Sequence, residues 1–214
     1  MEHKGSIVLE TERLILRPFR EEDAQEMFDN WASNPNVTKY VTWPPHTSVE
    51  ATKSLLREWG MGYFLPDFYQ WAIELKELGQ VIGNIAVVNI DEKIDACEIG
   101  YCLGEPWWNK GIVTEAFKRV IDFLFAEVQA NRISARHDTD NPASGKVMQK
   151  SGLVYEGTLR QAGKNNTNPL CDLAIYAILR EMGGWQVASV SRNGKSKWRY
   201  VFRGFGKDGA RKRC

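Results

Sequence analysis

Residues 104–116, Gly104-Glu-Pro-Trp-Trp-Asn-Lys-Gly-Ile-Val-Thr-Glu-Ala116, decide how the chain is read. Just before them, Ala96 to Leu103 alternates. Cys97, Ile99, Tyr101 and Leu103 fall on one face of a strand, Glu98 and Gly100 on the other. From about Thr114 to Gln129, Phe117, Val120, Ile121, Leu124 and Val128 form one stripe at helical spacing, and Glu115 and Arg119 are a favourable i, i+4 pair. A strand therefore runs through a Pro/Gly-containing loop into a long helix. The N–H groups of Gly111, Ile112, Val113 and Thr114 converge at its start, with the positive end of the helix dipole behind them. Such a mouth holds a phosphate or diphosphate without side-chain charge, and Gly111 admits close backbone approach. The same glycine also suits an ordinary strand-to-helix turn. The GxxxxGK[ST] and GxGxxG nucleotide loops are absent.

Working outward, Leu14–Phe19 reads as a strand, and Ala24, Met27, Phe28 and Trp31 mark an amphipathic helix. Asn34–His46, with three prolines, reads as a loop. Thr47 and Glu50, at capping-box spacing, precede a second helix. Strands follow at Trp71–Leu75 and Val81–Ile90, around the turn Leu78-Gly79-Gln80. Beyond the long helix come a strand at Arg132–His137 and a helix capped by Asn141 with Pro142 in its first position, closing at Gly152. Two more strands lie near Leu153–Arg160 and Leu170–Ala177. This order predicts a mixed α/β (α+β) fold, with a mostly antiparallel sheet of about seven strands and helices on both faces.

The 214 residues, 43% apolar, suffice for one mixed domain and a tail. Net charge is +1, but unevenly spread: residues 185–214 carry nine Lys/Arg and one Asp, leaving 19 basic and 26 acidic residues in 1–184. The boundary is set at Met182-Gly-Gly184. No apolar run is long enough to span a membrane, and the first residues lead into no signal-like segment, so a cytoplasmic location is expected. Cys97, Cys102, Cys171 and Cys214 form no CxxC, and His3, His46 and His137 are scattered. Reduced thiols and no metal site are expected.

Three segments in this order carry a resemblance: Thr11-Glu-Arg-Leu-Ile-Leu-Arg-Pro18, Trp108 to Ala116, and Asn141-Pro-Ala-Ser144 followed by Lys150-Ser-Gly152, with Asp172–Ala177 matching a last strand. Together they resemble the GNAT superfamily of acetyl-CoA-dependent N-acetyltransferases over residues 9–180, the nearest branch being the ribosomal-protein enzymes of the RimJ/RimL type. The resemblance implies a splayed central strand pair. It implies acetyl-CoA as co-substrate, held by Leu103, Trp108, Asn109, Lys110, Gly111, Ile112, Val113, Thr114, Asn141 and Ser144. Trp108 stands where Gln or Arg is usual. Val113 stands where Gly or Ala is usual, and so must turn its stiff side chain away from the cofactor.

The reaction implied is direct attack of an amine on the thioester, with a strand N–H stabilising the oxyanion and no cysteine intermediate. Ser144 reads as proton donor to the leaving thiolate or as a capping residue. Glu98 reads as general base or as a strand carboxylate paired with Lys/Arg, with Glu74 and Asp172 as lesser candidates. Gly163 stands where some relatives carry a carboxylate. At pH 7 roughly a tenth of a protein α-amine is neutral, against a few parts in ten thousand of a lysine, which favours an N-terminal acceptor such as a ribosomal protein. A polyamine or aminoglycoside acceptor, and a non-catalytic CoA-binding role, are the alternatives. The tail, with Trp198, Tyr200, Phe202 and Phe205 among its basic residues, reads either as a nucleic-acid arm or as a disordered extension.

Overall fold

A computed structural model describes residues 1–181; the readings of the basic tail lie outside the described residues. One sheet of eight strands runs in the order β1-β2-β3-β4-β5-β6-β8-β7. Its strands are β1 (Leu9–Glu10), β2 (Leu14–Arg17), β3 (Gln70–Leu75), β4 (Gln80–Asp91), β5 (Ala96–Leu103), β6 (Arg132–Asp138), β7 (Val154–Gly163) and β8 (Cys171–Leu179). All neighbours are antiparallel except β5 and β6, which are joined through the long helix and run parallel. The sheet has one strand more than expected. The two-residue β1 pairs Leu9 with Leu16, too short a run to show periodicity.

The helices are α1 (Ala24–Met27), α2 (Pro35–Thr38), α3 (Val49–Gly62), α4 (Ile112–Ala126) and α5 (Pro142–Lys150). A 3-10 turn precedes α1 and a π turn follows it. The expected loop at Asn34–His46 contains a turn of helix instead, because Asn34 accepts from the Asn36 N–H and Pro35 opens the turn. The cap of α3 is Ser48 rather than Thr47; its Oγ accepts from Ala51 N at 3.2 Å.

Two apolar layers clamp the sheet. Under α4, the predicted stripe Phe117, Val120, Ile121, Leu124 and Val128 is buried with Trp71, Ile85, Ile99 and Ile133. Each fully buried large side chain contributes about 2 kcal/mol. On the opposite face Phe19, Met27, Trp31 and Leu56 cover Ala72, Val81 and Cys102. Cys97 and Cys102 fall in different layers, as strand alternation requires.

Burial pushes the Asp122 carboxyl of α4 up to about 6, against the pull of Arg119 and Lys118. An acid whose pKa is raised by folding costs stability above that pKa, and the cost fades as pH falls toward the unfolded value near ~3.9. Asp122→Asn is expected to raise the Tm by about 2–4 °C at about pH 7.5. That corresponds to about 1 kcal/mol after allowance for solvent screening. The gain should vanish near about pH 4; a lower Tm at about pH 7.5 would refute the assignment.

Candidate active site

β5 and β6 pair only over Ala96–Arg132, Cys97–Ile133 and Glu98–Ser134. Beyond Glu98 they part, although β5 stays laddered to β4 as far as Leu103 and β6 to β8 as far as Asp138. A wedge thus opens at the carboxyl ends of two parallel strands. α4 follows β5 and α5 follows β6, so both helices begin at this wedge.

Gly111 is the N-cap of α4, at φ +74°, with no side chain capping the helix. The first helical hydrogen bond is Glu115 N to Gly111 O at 3.0 Å. The N–H groups of Ile112, Val113 and Thr114 therefore lack intrahelical acceptors by construction. Gly111 needs its positive φ, which an L side chain enters at a cost of about 1–2 kcal/mol. Ile112 and Val113 are buried in the core, so Val113 does turn away from the loop surface. Asn109, with φ +61°, and Lys110 are exposed. Trp108 donates its indole N–H to the Leu103 carbonyl at 2.8 Å, tying the loop to the end of β5.

The mouth of α5 is built differently. Asn141 Oδ1 accepts from Ser144 N at 3.4 Å, so this helix start is occupied by its own cap. A Cβ on Gly145 would lie 2.6 Å from His137 Nε2, so a larger residue there would displace the imidazole that β6 sets against α5. Tyr101, not singled out for chemistry in the sequence, reaches from β5 to α5. Its hydroxyl donates to the Ser144 carbonyl at 3.0 Å and lies 2.8 Å from Ser144 Oγ. Tyr101 has one hydroxyl proton and spends it on the carbonyl, so Ser144 is the donor in the hydroxyl pair. Burial raises the Tyr101 pKa and the bond from Ser144 lowers it; the net shift is upward, so the phenol stays neutral.

Glu98 is the last β5 residue laddered to β6, and Arg136 Nε meets its Oε1 at 2.8 Å. The Lys/Arg pairing considered for it is therefore present. The two lesser candidates serve elsewhere. Glu74 accepts from Arg17 Nε at 2.6 Å on β3, two strands from the wedge. Asp172 Oδ1 accepts from Gln161 N at 2.8 Å and holds Gln161 at φ +50°. Burial pushes the Cys97 and Cys102 thiols up to about 12, so neither supplies a thiolate nucleophile. Around the tip of β6 opens a cavity of about 520 Å³ lined by Tyr40, Thr42, Arg136, Asp138, Asn165 and Leu173, among others. The described residues include no group of three or more His, Cys, Asp or Glu arranged for a metal, and no helix long and apolar enough to cross a membrane.

Residues 13–154 match the model of the acetyltransferase (GNAT) domain. The chain is 34% identical to the N-acetyltransferase p20 of Bacillus licheniformis over 177 residues, 82% of this chain and 98% of that one. It is 26% identical over 164 residues to the ribosomal protein uS5-alanine N-acetyltransferase of Escherichia coli, covering 70% of this chain and 79% of the relative. The crystal structure of a GNAT-family acetyltransferase from Bacillus anthracis superposes with a TM-score of 0.72 at 25% identity, covering 82% and 99% of the two chains. The chain belongs to the GNAT acetyltransferase family, which makes it an acetyl-CoA-dependent acyltransferase.

If the mouth of α4 receives the diphosphate, Gly111→Asp sets a carboxylate against it. Calorimetry with CoA should then show at least about a 100-fold loss of affinity, with the circular dichroism spectrum unchanged. Affinity within threefold of the parent protein would remove Gly111 from the site.

Proposed function

We propose that the protein transfers the acetyl group of acetyl-CoA to the α-amine of a protein N-terminus, within residues 1–184. The observation that carries this reading is the parting of β5 from β6 beside the uncapped mouth of α4. It offers a diphosphate site and, a short step away, a cleft for a thioester arm. Gly111 to Thr114 receive the diphosphate through their N–H groups, while Trp108, Asn109 and Lys110 shape the loop. Leu103, Asn141 and Ser144 border the pantetheine arm.

In the reaction the neutral amine nitrogen forms a bond to the thioester carbonyl carbon, and the C–S bond then breaks. An N–H on the unladdered edge of β5 stabilises the oxyanion. The amine proton passes to Glu98 and on to solvent, while Ser144 turns its hydroxyl proton from Tyr101 to the departing thiolate and recovers one from solvent as the products leave. Tyr101 steadies Ser144 in that role. Two considerations favour an α-amine acceptor. At neutral pH it is far more often unprotonated than a lysine, and the Escherichia coli relative is by name a ribosomal protein uS5-alanine N-acetyltransferase. The cavity at the tip of β6 adjoins Arg136, the partner of Glu98, and gives the acceptor an approach to that carboxylate.

Incubation with isotopically labelled acetyl-CoA and three acceptors tests this reading: a peptide with a free α-amine, the same peptide blocked at its terminus but bearing lysine, and a polyamine. Label should enter the first at least about tenfold faster, as the α-amine pKa difference implies. Preference for the polyamine or the lysine peptide would reassign the acceptor, and no transfer to any would leave a CoA-binding protein. Glu98→Gln should lower kcat about 100-fold at neutral pH, the lower range for loss of a general base, with KM for acetyl-CoA within about twofold. A full rate would exclude Glu98 as base.

A further inference from the structure

The segment Thr11-Glu-Arg13 lies in the turn between β1 and β2, far in sequence from the loop at Gly111, yet its polar groups converge on that loop. Arg13 Nε donates to Glu115 Oε2 at 2.7 Å, and Nη2 meets the same oxygen at 2.7 Å. Arg13 Nη1 donates to the Lys110 carbonyl at 3.0 Å. Thr11 Oγ1 and the Arg13 N–H donate to Glu115 Oε1 at 2.6 and 3.0 Å. The Glu115–Arg119 pair expected from helical spacing gives way to this cluster. We propose that Arg13 is a positioning residue for the donor site: it aims the Gly111 N–H at the diphosphate and neutralises Glu115 beside it. This rests on the reading of the α4 mouth as the diphosphate site.

The Lys110 carbonyl and the Gly111 N–H belong to one planar trans peptide, in which they point in opposite directions. Fixing the carbonyl on Arg13 therefore fixes the N–H away from Arg13, outward from the loop. The loop needs such a hold, because Asn109 and Gly111, two of three successive residues, sit at positive φ, +61° and +74°. The second task is electrostatic. Glu115 stands in the first turn of α4, where a carboxylate suits the helix dipole but repels a bound dianion. The guanidinium caps that carboxylate, and its Nη2 lies 3.8 Å from where a Cβ on Gly111 would be. The Arg13 side chain is 43% exposed. A half-exposed ion pair contributes little to folding, so its effect is expected to fall on the ligand rather than on stability.

The test compares CoA with pantetheine, which lacks the diphosphate, by calorimetry on the full chain. Arg13→Ala should weaken CoA about tenfold, as loss of one charge-assisted contact implies, and leave pantetheine within about twofold. Arg13→Lys keeps the charge but not the fork that spans Glu115 and Lys110, and should recover only part of the loss. Equal weakening of both ligands, or no weakening of CoA, overturns the proposal. If the parent protein itself binds CoA no better than pantetheine, the α4 mouth is not a diphosphate site and the premise fails with it. That outcome is distinguished from the others by the parent measurement alone.

Discussion

Past Glu98, β5 and β6 turn their hydrogen bonds outward, each to the neighbour on its far side. A gap inside a continuous sheet leaves backbone donors and acceptors without ladder partners, which is costly unless something else meets them. The gap lies at the carboxyl ends of both strands, so the helices that follow must start at its rim. The two rims differ in one respect. Asn141 closes the mouth of α5 with its own side chain, whereas Gly111 has none to offer. Only the α4 mouth is left open to an anion, and Tyr101 joins the other rim to β5 by its hydroxyl.

Carboxylates near such a mouth work against an anionic ligand, and the structure holds Glu115, Glu98 and Glu105 by donors. Glu115 is gripped by Thr11 and Arg13. Burial acts to raise its pKa, but the hydrogen bonds from Thr11 and from the Arg13 amide and guanidinium outweigh it, so the carboxyl titrates below its ordinary range. Glu98 is paired with Arg136. Glu105, in the turn after β5, accepts from Asn34 Nδ2 at 3.0 Å and Asn36 Nδ2 at 3.3 Å. None of these partners is adjacent in sequence to the acid it holds. The electrostatic character of the cleft is therefore a product of the tertiary fold, not of local charge pattern.

That distinction explains how much could be read from the chain alone. β5 was legible to the residue, because the alternation of Cys97, Ile99, Tyr101 and Leu103 with Glu98 and Gly100, and the glycine-bearing loop after it, mark both ends. The stripe of α4 and the Asn141-Pro142 start of α5 are likewise local signals with fixed spacing. The family resemblance added the wedge, which no periodicity encodes. The contacts of Arg13, Tyr101 and Arg136 escaped the sequence because each spans 38 or more positions. The eighth strand escaped because two residues have no period. The cap at Ser48 was missed because Thr47 and Glu50 offered an equally regular spacing one residue earlier; only the backbone, extended at Ser48, decides between them.

The same division separates the two substrates. On the proposed reading, donor recognition rests on backbone N–H groups at a helix start, on a glycine at positive φ and on the order of sheet elements, all of which leave marks in sequence. The cavity at the tip of β6 is walled in part by the ends of β6, β7 and β8 and in part by Tyr40, Thr42, Lys164, Asn165, Pro169 and Leu170, from segments tied together by side chains. Asn166 Nδ2 donates to the carbonyls of Thr38 at 2.9 Å and Trp43 at 2.6 Å, and Thr167 Oγ1 donates to the Lys39 carbonyl at 3.2 Å. This strap joins the β7–β8 connection to the segment after α2 without engaging the sheet ladder. On the proposed reading, the loop residues of that wall can change, and with them the acceptor, while β5, the Gly111 loop and α4 keep their geometry. Loops carry such variation at little cost to the scaffold. On that reading, one donor grip is combined with an acceptor wall of which only the loop part is exchangeable.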